Sequence, residues 1–199
     1  MLCRIKVCGV TNVADARMCV EEGVDAIGVN FVQSSARCVD VAQAREIADA
    51  ILGKALVVGI VADLDVGSMV DLRERAALGC LQLHGDEPPD ALVPLLPHAY
   101  KALRATDVAR EGEYGGEHIL VDGPSPGSGK SFDWSIVSAL AKRRKLTIAG
   151  GLHAGNVAEA MAVTLPYCVD VASGVEVPGD PRRKDPVRVR AFVRAIRGS

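Results

Sequence analysis

The sequence predicts a closed (β/α)8 barrel, the TIM-barrel class, formed as a single domain over residues 1–199. Three observations carry that prediction. Short apolar runs alternate with amphipathic segments through eight cycles, the pattern of a parallel sheet covered by helices. No shift of composition marks a linker. Polar side chains also recur at one parity on several strands, which gives those strands a shared inner face and leaves no solvent-facing one. The rival arrangement, an open doubly wound sheet, lacks its signature, because the first turn CGVTN holds no G-x-G-x-x-G fingerprint.

The first strand and turn, RIKVCGVTN, place Arg4, Lys6 and Cys8 on one face and Ile5 and Val7 on the other. A helix from about Asn12 to Glu22 follows, with Asn12 as its cap and Asp15 in its first turn. Asp25 to Phe31 reads as the second strand, VQSSARCVD as a polar loop, and Val41 to Leu52 as a helix. Ala55 to Ala62 is the third strand, Val66 to Ala77 its helix, and Cys80 to Gly85 the fourth strand. Pro88 and Pro89 start but cannot continue a helix, so Asp90 to Leu96 is short. After the fifth strand, Ala99 to Ala105, the brief TDVAREGEYGG leaves the fifth helix missing or reduced. Glu117 to Gly123 is the sixth strand, and GSGKS at 127–131 reads as a lid with a solvated Lys130. A helix over 133–142, the strand LTIAGG, a helix over 156–164, the strand CVDVASG and a last helix over 186–197 complete the chain. Arg182, Arg183 and Lys184 before that helix read as a solvated run.

If Lys6 and Cys8 face inward, the same parity turns Asn30, Gln82, His84, Asp122 and Asp170 inward, each set between apolar neighbours. Buried polar groups are unfavourable unless paired or used. Barrel enzymes draw their reactive groups from the ends of several strands at one rim. His84 reads equally as a satisfied core histidine or a substrate contact, and Asp170 as a partner of Lys6 or Lys101. Gly150 and Gly151 after the seventh strand, with Ser173 and Gly174 after the eighth, form turns whose amides suit a phosphate dianion.

Composition narrows the classes of function. A net charge of −2 and 4% aromatic residues give no footing for nucleic acid. No apolar run reaches membrane-spanning length, so neither nucleic acid nor membrane is expected as a partner. Cys3, Cys8, Cys19, Cys38, Cys80 and Cys168 form no C-x-x-C pair and the chain shows no signal peptide, which together predict free thiols in the cytoplasm. The four histidines lack zinc-site spacing, so no metal is expected. No feature of the sequence separates a monomer from a homodimer.

Five ordered blocks carry a family resemblance: KVCGVTNVADA at 6–16, LQLHGDE at 81–87, GSGKSFDW at 127–134, AGGLHAGNV at 149–157 and DVASGVEVPG at 170–179. Together they resemble the signature blocks of the phosphoribosylanthranilate isomerases of tryptophan biosynthesis. The resemblance implies a cofactor-free Amadori rearrangement of N-(5-phosphoribosyl)anthranilate to 1-(2-carboxyphenylamino)-1-deoxyribulose 5-phosphate. It also implies Cys8 as general base, Asp122 as general acid and Arg37 as the grip on the anthranilate carboxylate. A buried thiol titrates high, so Cys8 needs a nearby cation, and Lys6 is the local candidate at about 7 Å. Asp122 needs the opposite help, from apolar surroundings or from Asp170. The chain departs from the family pattern in GVNFVQSSAR at 28–37 and at Gly123, positions at the anthranilate end of the pocket. Two alternatives stand beside this reading. A related aminoaldose-phosphate isomerase would use paired aspartates, which Cys8 argues against. A non-catalytic phosphoribosyl-binding barrel would not require both Cys8 and Asp122.

Overall fold

Eight parallel strands close on themselves in sequence order, β1 (Arg4–Val7), β2 (Ala26–Asn30), β3 (Leu56–Val61), β4 (Cys80–Leu83), β5 (Ala99–Arg104), β6 (His118–Asp122), β7 (Lys145–Ile148) and β8 (Cys168–Val171). The computed structural model describes residues 2–123 and 133–198; the loop expected as a lid at 127–131, with Lys130, lies outside the described residues. Closure comes from β1 pairing with both β2 and β8, with Lys6 level with Ala26 on one side and Asp170 on the other. Around the ring Ile60 is level with Gln82, Gln82 with Tyr100, and Leu120 with Thr147. The inward parity read from the sequence is thereby shared by strands far apart in the chain.

The helices follow from local signals. In α1 (Val13–Glu21) the Asn12 side chain accepts from the Asp15 amide, and in α2 (Val41–Ala50) Asp40 and Gln43 form a reciprocal capping box. Asp65 caps α3 (Val66–Arg75). The prolines keep α4 (Pro89–Leu92) to a single turn before a 3-10 turn at Val93–Leu95. A full α-helix after β5 is replaced by 3-10 turns over Ala105–Glu113, the reduction expected there. The helix predicted over 133–142 is corrected to two 3-10 pieces, Trp134–Val137 and Leu140–Lys142. Its serines explain the difference: Asp133 takes the Ser135 amide and the Ser138 hydroxyl donates to the Ser135 carbonyl, offering the backbone partners that compete with α-helical bonds. α5 (Val157–Thr164) and α6 (Pro186–Arg197) complete the outer layer, the latter opened by Asp185 and Pro186 and closed by Gly198 at φ 75°.

Between helices and barrel lies an apolar layer that includes Ile5, Val7, Ile27, Ile47, Met69, Leu81 and Phe192. Burying Phe192 alone stabilises the fold by roughly 1.5–3 kcal/mol. Inside the barrel a smaller apolar set, Ala26, Val58, Tyr100, Ala102, Leu120 and Ala149, fills the floor beneath the mouth.

One element was not expected. β9 (Glu176–Val177) and β10 (Asp180–Lys184) form an antiparallel hairpin after β8. Of the run read as solvated, Arg182 and Arg183 are exposed as expected, and the reading is corrected at Lys184. Arg182 Nη1 donates to the Ala36 and Cys38 carbonyls, Arg183 meets Asp15, and Lys184 is buried with its amide donating to Asp15. The hairpin fastens the loops that follow β1 and β2.

Candidate active site

A cavity of about 490 Å³ opens at the carboxyl ends of the barrel strands. Cys8, Asn30, Gln82, His84, Asp122 and Asp170, the side chains picked out by parity, all line it. Arg37 joins them from the loop after β2, with Gly150, Gly151 and Ser173 from the last two turns. Gly174 is not part of the lining; a Cβ there would overlap the Leu152 carbonyl, so a side chain is excluded where one turn packs on the other.

Lys6 organises the floor. Its Nζ donates to Asp170 Oδ2 at 2.7 Å and to Gln82 Oε1 at 2.9 Å. Burial opposes a charge on Lys6, but Asp170 and its neighbours hold it protonated well above its ordinary range. Of the two partners the sequence left open for Asp170, Lys6 is the one it takes, while Lys101 pairs with Glu87 at 2.8 Å. Replacing Lys6 with methionine is expected to lower stability by about 3–5 kcal/mol in urea titrations, because it strands a buried carboxylate.

Gln82 passes this order outward. Its Oε1 also accepts from Tyr100 Oη at 2.9 Å, so both donors fix the amide orientation and leave Nε2 to donate to His84 Nδ1 at 2.8 Å. The remaining proton of His84 therefore sits on Nε2, which faces Asp122 Oδ2 at 3.6 Å. That separation is too long for a hydrogen bond. Burial, with Lys6 and Lys101 adding to it, pushes the imidazole down to about 4, so His84 is neutral at pH 7. One nitrogen is satisfied and the other is aimed across the mouth.

Asp122 and Cys8 have opposite needs and the protein meets only one of them. Burial pushes the Asp122 carboxyl up to about 6, against the Gly123 amide that donates to its Oδ1 at 2.7 Å, with Asp170 adding to the rise. Burial also raises the Cys8 thiol, and Lys6, Lys184 and Arg37 only oppose that rise. Lys6, the local candidate cation, is the strongest of the influences that lower the thiol, but burial outweighs it, and Asp170, which holds the Lys6 ammonium, adds to the rise. Gly28 leaves the space the sulfur occupies, since a Cβ there would lie 3.0 Å from Cys8 Sγ.

Asp170 Oδ1 is buried without a partner among the described residues. The amides of Gly150, Gly151, Ser173 and Gly174 likewise donate to no acceptor among the described residues. Gly150 and Gly151 hold φ of 89° and 65°, the left-handed region that frees such turns. The site also uses residues given no role from the sequence. Tyr100 is level with Gln82 through the β4–β5 register, which strand parity by itself does not give. Glu176, inside the DVASGVEVPG block, takes a bidentate bond from Arg37.

Fold and site together define an enzyme of the (β/α)8 class. The family model described as N-(5'phosphoribosyl)anthranilate (PRA) isomerase matches residues 5–195, and the N-(5'-phosphoribosyl)anthranilate isomerase of Myxococcus xanthus is 42% identical over 208 residues, covering 99% of this chain and 97% of its own. The chain belongs to the phosphoribosylanthranilate isomerase family, and its activity is that isomerisation in tryptophan biosynthesis. The Acidithiobacillus ferrooxidans enzyme is 39% identical, with 98% of each chain covered. Among solved structures, the Thermotoga maritima enzyme superposes with a TM-score of 0.91 at 32% identity over the whole of both chains. A phosphoribosyl anthranilate isomerase crystallised with reduced 1-(o-carboxyphenylamino)-1-deoxyribulose 5-phosphate gives 0.88 at 31%, again over the whole of both chains. No helix among the described residues is long and apolar enough to cross a membrane.

Proposed function

We propose that Asp122 is the general acid and Cys8 the general base of the isomerisation, acting on a substrate whose phosphate lies on the turns after β7 and β8. The observation that carries this is the meeting of both groups on one cavity wall with those turns and Arg37. Protonated Asp122 delivers its proton to the ribose ring oxygen, the ring C–O bond breaks and a Schiff base forms. The Cys8 thiolate then takes the proton from C2, and the resulting enolamine tautomerises to the ketone. Asp122 Oδ2 is the donor, since Oδ1 accepts from Gly123 and Oδ2 looks toward His84.

Substrate binding draws on the groups the protein leaves open. Arg37 suits the planar anthranilate carboxylate. Gln82 and His84 align the sugar with Asp122, and Asp170 Oδ1 accepts a hydroxyl or amine proton from it. The amides of Gly150, Gly151, Ser173 and Gly174, without acceptors among the described residues, are the donors for a dianion. The reduced product held by the relative in its crystal supports a phosphorylated ligand here. Six unpaired thiols support a reducing cytoplasm as the compartment.

Turnover is followed by the loss of substrate fluorescence when phosphoribosylanthranilate is generated in situ; a protein that leaves the signal intact would refute the assignment. Gly150→Ala tests the phosphate turn. Its Cβ would meet the Gly123 nitrogen at 2.5 Å in a backbone of positive φ, so KM is expected to rise at least about tenfold through lost charge-assisted bonds. An unchanged KM in a folded variant would move the phosphate elsewhere.

A further inference from the structure

Arg37 is seated more firmly than a flexible loop residue needs to be. Its Nε donates to Glu176 Oε1 at 2.6 Å and its Nη2 to Oε2 at 3.0 Å, two parallel bonds that fix the plane of the guanidinium. Those bonds use one edge of the group. The other edge, Nη1 with the second Nη2 hydrogen, has no partner among the described residues, and Arg37 lines the cavity. Its stem is seated too, because it lies over Gly9, where a Cβ would overlap Arg37 Cδ.

Glu176 is itself held. Lys184 Nζ donates to its Oε1 at 3.0 Å, and the hairpin registers Glu176 with Lys184. Lys184 is buried at 1% exposure and Glu176 at 7%, so neither can swing away into solvent. Burial works against the Glu176 charge, but Arg37 and Lys184 together keep its carboxyl below the usual range. The order cation, anion, cation matters. Glu176 alone would cancel Arg37, whereas Lys184 leaves one positive charge for an incoming anion.

We propose that Glu176 is a positioning residue for substrate recognition: held on the β9–β10 hairpin by Lys184, it orients Arg37 so that the free guanidinium edge meets the substrate's ring carboxylate. This rests on Arg37 as the carboxylate site. The hairpin is then part of the recognition machinery as well as a strap over the loops.

The test uses two ligands in calorimetry, reduced 1-(o-carboxyphenylamino)-1-deoxyribulose 5-phosphate and its counterpart lacking the ring carboxylate. Arg37→Ala is expected to weaken the first by about 100-fold and the second by less than about twofold. Glu176→Gln should weaken the first about tenfold with the second again within about twofold, and the double variant should be no worse than Arg37→Ala. Glu176→Asp, which retains the charge one methylene further back, shows the same discrimination at smaller size and serves if Glu176→Gln does not accumulate folded. Equal weakening of both ligands by the Glu176 variants, no weakening of either, or additive losses in the double variant would overturn the proposal while Arg37→Ala still discriminates. If Arg37→Ala fails to discriminate, the carboxylate site itself is misplaced and the proposal falls with it.

Discussion

Cys8→Ala is expected to lower kcat by about 10²- to 10⁴-fold, the contribution of one positioned proton transfer. The fold should survive the change. Cys8 is held by its backbone, its amide donating to the Val171 carbonyl at 2.8 Å, and its half-buried side chain faces the cavity. Removing the sulfur takes away a group that bridges nothing in the core. Cys8→Ser sharpens the comparison, because it restores the size but supplies a hydroxyl that ionises far less readily than a thiol. Both variants should give the circular dichroism and urea midpoint of the parent, with substrate affinity close to unchanged. Full-rate turnover by folded Cys8→Ala would remove the thiol from the mechanism and leave C2 deprotonation without a base.

How the site could be anticipated depends on one period. Strand alternation alone puts Cys8, Gln82, His84, Asp122 and Asp170 on an inner face, and barrel closure brings them to one cavity. What alternation cannot supply is pairing across the barrel. Lys6 and Asp170 are 164 residues apart, and their contact exists only because β1 and β8 close the ring. The sequence offers Asp170 either Lys6 or Lys101, and only the closed ring decides between them, giving Lys6 to Asp170 and Lys101 to Glu87. Lys184 was obscured differently. A run of three basic residues reads as solvated, and the turn that folds it back lies in VPGD, where Gly179 holds φ 81°. A Pro-Gly turn between two short extended stretches is a hairpin signal, and it was present in the sequence. The 3-10 pieces after β6 depend on serine side chains outbidding backbone bonds, a competition in which the helical and turn readings are close in energy.

Asp122→Asn is expected to lower kcat by a similar 10²- to 10⁴-fold factor, roughly, and its pH profile makes the sharper prediction. In the proposed mechanism productive enzyme carries a protonated Asp122 and an ionised Cys8. Asp122 titrates at about 6 and Cys8 above its ordinary 9.0, so the two are matched in the reverse of the convenient order. Below pH 6 Asp122 is protonated and activity rises with pH as thiolate forms. Between the two values each gain in thiolate is offset by an equal loss of protonated Asp122, and kcat/KM stays flat, with only a small fraction of molecules in the productive state. Above the thiol value activity falls, because Cys8 is fully ionised while Asp122 continues to lose its proton. The lower bend therefore belongs to the acid and the upper bend to the base. Asp122→Asn should abolish the bend near pH 6 and leave a single rise toward the thiol value, whereas Cys8→Ala should retain the lower group and lose the upper. In Asp122→Asn the amide keeps its oxygen for the Gly123 donor and turns an N–H toward His84, so the carboxyl proton is removed without an added cavity. A bend near 6 that persists in Asp122→Asn would assign the proton to another group, and the neutral His84, held at about 4, lies too low to be that group.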